Sequence, residues 1–304
     1  MATTRRRLLA RASAIGAAAI GTGATGPAEA QSSGGTGISI ALAARAPTGL
    51  NPQQTALTGA DNWAIRQCFD WLVKPEDGTF AIRPEDFRPS LAESWESSRD
   101  ARSWTYRLRR GAQFHKGYGE VTSADVAFTF GRHLDPNIVT NQKSFYSNLA
   151  AVEALDSHTV RFRTHRPDPL FNGSMMTSIS SSILCKKAFE ERGQGFNMDP
   201  IGSGPYQVES VSQTQGVLFS AFPQYFGGPA VTSQLRVGFI ADTTARTLAF
   251  ASGQVDMIEG VRQPGWIPSM RQRMPQAQFD ATAPGSFNTR HLNLTRPPLE
   301  HVCL

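Results

Sequence analysis

Apolar residues recur along this chain as short alternating runs separated by turn formers, with only a few stretches at helical spacing. Ile38, Ile40 and Leu42 alternate with small residues, which predicts a strand from Ile38 to Ala44 that Pro47 to Pro52 interrupts. Asp61 is placed to cap a helix whose apolar face is Trp63, Ile65, Phe69 and Leu72. A Pro/Gly-rich stretch from Pro75 to Pro89 follows. Trp104 to Leu108 reads as a strand, turned at Gly111 into Ala112 to Phe114. Thr122-Ser123-Ala124-Asp125 is a capping box, in which a threonine and an acid three residues on can satisfy the free amides at a helix start. It opens a helix bearing Val126, Phe128 and Phe130.

Val152 to Leu155 and Thr159 to Phe162, joined at Asp156-Ser157, form a β-hairpin ended by Pro167-Asp168-Pro169. Ile201 to Tyr206 is a tight turn into a strand, and Val217 to Phe222 and Leu235 to Ile240 continue a sheet. Asp242 caps a helix from Thr243 to Ser252, Gly253 terminates it in a left-handed conformation, and Val255 to Ile258 is the next strand. This strand–helix–strand passage predicts an α/β lobe.

The 304 residues carry 30 Lys+Arg against 25 Asp+Glu, a net charge of +5. Met1 to Ala30 hold Arg5, Arg6, Arg7 and Arg11 against Glu29, which is +3 of that total and leaves about +2 for the rest. The basic balance therefore gives little support to nucleic-acid binding, which needs a clustered basic face on the folded domain. The leader itself has the order of an export signal: a basic start at Thr4-Arg5-Arg6-Arg7-Leu8-Leu9, a mildly apolar stretch from Ala12 to Ala24, and Ala28-Glu29-Ala30 as a small-residue cleavage site before Gln31. The consecutive arginines resemble a twin-arginine signal, with an ordinary Sec signal as the alternative. No cysteine stands at the cleavage site to take a lipid, and no later run of about 20 apolar residues predicts a membrane span. The expected location is the periplasm. Gly21-Thr22-Gly23-Ala24-Thr25-Gly26 fits a dinucleotide fingerprint, but it lies in the leader rather than between a strand and a helix.

Catalytic and metal-binding patterns are missing from the sequence. There is no His-Glu-x-x-His, no Gly-x-Ser-x-Gly and no phosphate loop, and none of the six histidines lies four residues from another. His115, near a turn, reads as structural or surface. Pro205 follows Gly202-Ser203-Gly204 directly, so this stretch is a turn rather than a nucleophile elbow. Glu190-Glu191 belongs to a solvated helix face. Three cysteines, Cys68, Cys185 and Cys303, make no zinc site or disulfide scaffold. Buried free thiols are expected, with a Cys68–Cys185 pair as the alternative. No catalytic residue, metal or cofactor is implied, and the composition points to binding.

One ordered run of motifs is more specific. Leu91-Ala92-Glu93-Ser94-Trp95-Glu96, Trp104 to Gly111, Phe114-His115 and Thr122 to Phe130 are followed by Val152 to Asp156 with Thr159 to Phe162. Pro200 to Tyr206, Gln224 to Pro229 and Ser252 to Asp256 complete it. The run resembles the extracytoplasmic solute-binding proteins of family 5, the peptide- and nickel-type receptors of ABC importers, from Ile38 to Leu299.

The resemblance implies an α/β fold of the type II periplasmic-binding-protein kind, of which the chain would hold lobe I and its inserted subdomain. The implied division is a signal peptide (1–30), a linker (31–37), lobe I (38–61 plus 200–284), the insertion (62–199) and the start of a crossing to a second lobe (285–304). Trp95, Trp104 and Phe114 are expected in the core. Receptors of this kind meet ligand from lobe I through the loop after the first strand, here Ala44 to Gly49. Arg45, a partner for an anionic ligand group or else a surface arginine, is the foremost candidate, with Ala46 and Thr48 beside it and Phe287 and Asn288 as weaker ones. A peptide or similar small solute and an inner-membrane ABC permease are the implied partners, and a monomer is expected. Closure would be a hinge motion driven by contacts to both lobes.

The resemblance stops at one place. Asn293 to Leu299 resembles the run that introduces lobe II, yet Glu300-His301-Val302-Cys303-Leu304 follows instead of the family's acidic residue, Arg-Val-Arg and helix. The expectation is that lobe II, which carries the usual partners of a peptide's amino terminus, is absent and that ligand capture is impaired. A non-functional gene fragment and an exported hydrolase are the alternative readings.

Overall fold

In the computed structural model the described residues are 37–54, 59–76, 81, 83–261 and 263–280. The leader, linker positions 31–36, Phe287, Asn288 and Cys303 lie outside them, while Gly37, expected in the linker, is the first residue of the first strand. Along the first half of the chain the elements are β1 (Gly37–Leu42), α1 (Gly59–Cys68), β2 (Val73–Pro75), β3 (Phe87–Pro89), β4 (Ala92–Ser97), β5 (Ser103–Leu108), β6 (Gln113–Phe114), β7 (Gly119–Glu120) and α2 (Ser123–Leu134). The second half adds β8 (Leu149–Asp156), β9 (Thr159–Thr164), α3 (Lys186–Arg192), β10 (Tyr206–Ser212), β11 (Gly216–Ala221), β12 (Gln234–Phe239), α4 (Thr243–Ala251), β13 (Met257–Ile258) and α5 (Trp266–Arg273).

Two larger sheets organise these elements. The first has the order β10-β11-β12-β1-β13 and joins the start of the described chain to its last third. β1 runs parallel to β12, with Ile38 opposite Leu235 and Ile40 opposite Val237, and parallel to β13, with Ile40 opposite Met257. β10, β11 and β12 pair antiparallel, so β10 points the same way as β12 and β1. The second sheet, β4-β5-β9-β8, is antiparallel and built from neighbours in sequence. Its inner face carries Trp104, Tyr106, Val160 and Phe162, the buried alternate positions of β5 and β9. α2 covers this face: Phe130 meets the Phe162 ring edge-on at 4.9 Å, and Tyr106 meets Phe162 at 5.4 Å. Trp104 and Phe114 are buried and Trp95 packs half-buried against the same core.

The Thr122 box forms with a variation. Asp125 accepts from the Thr122 amide at 3.0 Å and from its hydroxyl at 2.8 Å, while its other oxygen holds the Lys186 amide. Asp242 caps α4 by accepting from the Ala245 amide at 2.7 Å, and Gly253 takes φ +75° after it. Several expectations need correction. α1 begins at Gly59, which puts Asp61 inside it, and ends at Cys68, which leaves Phe69 and Leu72 beyond it. The physical reason is that the Cys68 carbonyl, which a further turn would use, is taken at 2.9 Å by the Gly204 amide from across the fold. The first strand stops at Leu42, and only Met257-Ile258 of the last predicted strand pairs. The Pro75–Pro89 stretch is bounded by a paired hairpin, β2 with β3.

Candidate functional site

β12, β1 and β13 run parallel, so their carboxyl ends at Phe239, Leu42 and Ile258 open on one edge of the sheet. Ligands of α/β sheets bind outside such an edge, because the chain leaves it through loops that carry unpaired polar groups. Here the edge is tightly fastened. The Ile240 amide donates to Leu42 O and the Glu259 amide to Ala41 O, both at 2.9 Å. The Glu259 carboxylate accepts from the Ala43 amide at 2.9 Å. Behind them Arg246 of α4, only 2% exposed, donates from Nε to Glu259 O at 3.0 Å and from Nη1 to Ile240 O at 2.7 Å. One buried guanidinium thus gathers carbonyls from the ends of two strands.

The loop after β1 leaves from this point and is anchored in turn. Gln213 Nε2 donates to Pro47 O at 3.1 Å, and the Leu50 amide donates to Asn197 O at 2.7 Å. A side chain at Gly49 would press on Asn197 at 3.3 Å, which keeps that position small. Between these anchors Arg45 and Thr48 are exposed, Ala46 is half-buried and Pro47 is buried. The loop therefore offers a guanidinium and a hydroxyl to solvent from a backbone held on both sides, an arrangement suited to a carboxylate or phosphate group. Arg45, Ala46 and Thr48 stand together on this loop. Gln213, Glu259 and Arg246, which hold it and the strand ends, were not legible as site residues. The one signal was a charged residue three positions before Ala249 on the buried side of α4.

The remaining chemically suggestive groups have structural partners. His115 is buried, its Nε2 donates to Gly204 O at 2.9 Å, and burial pushes its pKa down to about 4. Ser203 Oγ donates to Asp70 at 3.1 Å. Cys68 and Cys185 are buried and free, and burial raises the Cys185 thiol to about 11. Among the described residues no cluster of three His, Cys, Asp or Glu could hold a metal, and no helix is long and apolar enough to cross a membrane.

A profile of the bacterial extracellular solute-binding proteins, family 5 Middle, matches residues 86–304. The chain belongs to this family. Its members are periplasmic solute-binding proteins and not enzymes. The dipeptide-binding protein of Pseudomonas aeruginosa PAO1 is 32% identical over 281 residues, 84% of this chain and 51% of its own length. Heme-binding protein A of Haemophilus influenzae is 28% identical over 235 residues, 71% of this chain and 42% of its own. Among solved structures, MoaA from A. tumefacien R10 in complex with mannopinic acid superposes with a TM-score of 0.79 at 33% identity, covering 88% of this chain and 53% of that one. The chain thus spans about half the length of the relatives it matches.

Proposed function

We propose that the carboxyl edge of the parallel strands, with Arg45 and Thr48 on its anchored loop, is one wall of the solute cleft of a periplasmic receptor that feeds an ABC importer. The division into lobe I (38–61 plus 200–284) and an insertion (62–199) goes with this reading; the separate five- and four-stranded sheets support it. Peptides or peptide-like solutes are the ligand class. The observation that carries the reading is the exposed Arg45 on a loop held from both sides, in a chain whose relatives include several dipeptide- and tripeptide-binding proteins. Export rests on the leader, where Arg5-Arg6-Arg7 and Ala28-Glu29-Ala30 support a cleaved, twin-arginine type signal.

A second ligand has a specific observation behind it. MoaA, solved in complex with mannopinic acid, is 33% identical to this chain, level with the 32% of the Pseudomonas aeruginosa dipeptide-binding protein. An acid of the mannopinic kind, like a peptide, would bring a carboxylate to Arg45.

Capture is expected to need contacts from both walls of a cleft. Micromolar affinity corresponds to about −8 kcal/mol, and one wall supplies only part of that against an association cost of several kcal/mol. The 304 residues on their own are expected to bind solute at millimolar strength or weaker. Calorimetry with a dipeptide panel and with mannopinic acid tests this, and micromolar binding would refute it. Arg45→Gln, placed in a two-lobed relative's framework, is expected to weaken capture about tenfold or more; unchanged affinity would remove Arg45 from the site.

A further inference from the structure

The opposite edge of the same sheet holds a cavity of about 700 Å3. Pro205, one residue ahead of β10, and Tyr225, just beyond β11, line it. Because β10 runs with β1 and β11 against it, both positions lie at the amino edge, away from the Arg45 loop.

Two arginines are among the residues that line this cavity. Arg66 lies over the Trp71 ring at 4.8 Å, and Arg109 lies over the Phe226 ring at 5.3 Å with its Nε donating to Ser90 O at 3.3 Å. A guanidinium whose face rests on a ring keeps its edge N–H groups for an acceptor. Among the described residues neither arginine pairs with a carboxylate. Of the acids in the lining, Glu76 lies 3.9 Å from Arg88. Asp70 is buried and accepts the hydroxyls of Ser203 and Tyr225 at 3.1 and 3.2 Å, and burial raises its pKa to about 7. The described lining thus holds three cations, Arg66, Lys74 and Arg109, against the two acids, and Pro75, Pro89 and Pro205 supply flat apolar wall.

We infer that this cavity is a second ligand site, which takes a small carboxylate carried on a flat ring, the carboxylate between Arg66 and Arg109 and the ring against the prolines. A carboxylate matches the planar fork of an arginine, and an apolar ring gains by leaving water for a proline-lined wall. The site stands independently of the cleft reading, since it shares no residue with the Arg45 loop.

The test uses the 304-residue chain with benzoate as the probe, followed by calorimetry and by the rise in melting temperature. Benzoate is expected to saturate one site at a dissociation constant of about a millimolar or below. Benzamide, which keeps the ring and loses the charge, and acetate, which keeps the charge and loses the ring, are each expected to bind about tenfold weaker or worse. Arg66→Gln and Arg109→Gln should each weaken benzoate about tenfold. Arg66 sits at the exposed rim, so its variant keeps the test decisive if the Arg109 variant fails to fold. Arg45→Gln should leave benzoate binding unchanged, which separates this site from the cleft. Benzamide or acetate binding as tightly as benzoate, indifference to Arg66→Gln, or no saturable binding overturns the proposal.

Discussion

The side-chain amide nitrogen of Gln53 lies 3.2 Å from Nε2 of His133, joining the end of the Arg45 loop to helix α2 across 80 residues of sequence. Gln53 is fully buried and also donates to Thr129 O at 2.9 Å, while its carbonyl oxygen accepts from Arg132 Nε at 2.8 Å. His133 stacks on Tyr146 at 3.7 Å and meets Thr140 Oγ1 at 2.7 Å. Among the described residues a proton on this ring meets no acidic partner: burial first, then the Arg132 and Lys143 charges, push its pKa down to about 4.

That depression gives a pH dependence with a definite sign. His133 and His115 both titrate near 4 in the fold, against 6.5 unfolded. Between these values the unfolded chain binds more protons, so the stability from the neutral rings is full above about pH 6.5 and fades as pH falls toward 4. The unfolding free energy from urea titration is expected to drop over this window, by up to about 3 kcal/mol per ring. His133→Gln should flatten the profile; an equally steep loss in the variant would show that His133 does not drive it.

Asp70 works in the opposite direction. Burial raises it from 3.8 to about 7, so the fold prefers the protonated acid and loses stability as pH rises from about 4 through 7. Asp70→Asn keeps an acceptor for Ser203 and removes the charge. Thermal melts are expected to show the variant about 1 kcal/mol or more above the parent at pH 8, and close to it near pH 4. A gap independent of pH would contradict this account.

The turn before β10 tolerates no side chain at two positions. A Cβ at Gly202 would fall 2.0 Å from the Cys68 carbonyl oxygen, and one at Gly204 would fall 2.7 Å from the Cys68 carbonyl carbon, both fixed backbone. Gly202→Ala and Gly204→Ala are each expected to cost about 3 kcal/mol or more. Gly253→Ala, with open space around it but φ +75°, should cost about 1 kcal/mol. Denaturant titration of the three variants checks the order, and a Gly204→Ala chain as stable as Gly253→Ala would refute the close approach.

Removing Arg246 should loosen the carboxyl edge. Arg246→Met keeps much of the stem and strands the carbonyls of Ile240, Ala241 and Glu259. The expected loss is about 2–4 kcal/mol, with faster hydrogen exchange at the Ile240 and Glu259 amides. Lysine in the same place cannot reach all three carbonyls as a fork does, so Arg246→Lys should recover only part of the loss. Wild-type exchange rates in Arg246→Met would sink this role.

Much of the fold was legible because its signals are local. Alternation fixes the buried faces of β5 and β9, and the Thr122 and Asp242 caps start their helices where the sequence places them. β4 was harder to read as a strand, since Glu93, Ser94 and Glu96 point outward and Trp95 is only half-buried. The end of α1 was not legible either, because it is set by Gly204, a residue more than a hundred positions downstream. At the candidate site, Arg45 was named only through the family resemblance, which puts the loop after the first strand beside the ligand. Its supports were not legible: Gln213, Glu259 and Arg246 act through long-range bonds to backbone, and a single sequence carries no record of those.

The placement of β1 sets an order of events for the polypeptide. The Ser39 amide donates to the Asp256 carboxylate, 217 residues away, and β12 and β13, which flank β1, both come from the last third of the described chain. The β8–β9 hairpin, in contrast, closes over a two-residue turn. The four-stranded sheet can consequently assemble while synthesis is still under way. The first strand must wait, unpaired, until nearly the whole described chain has emerged, so its late insertion is the step on which completion of the larger sheet depends.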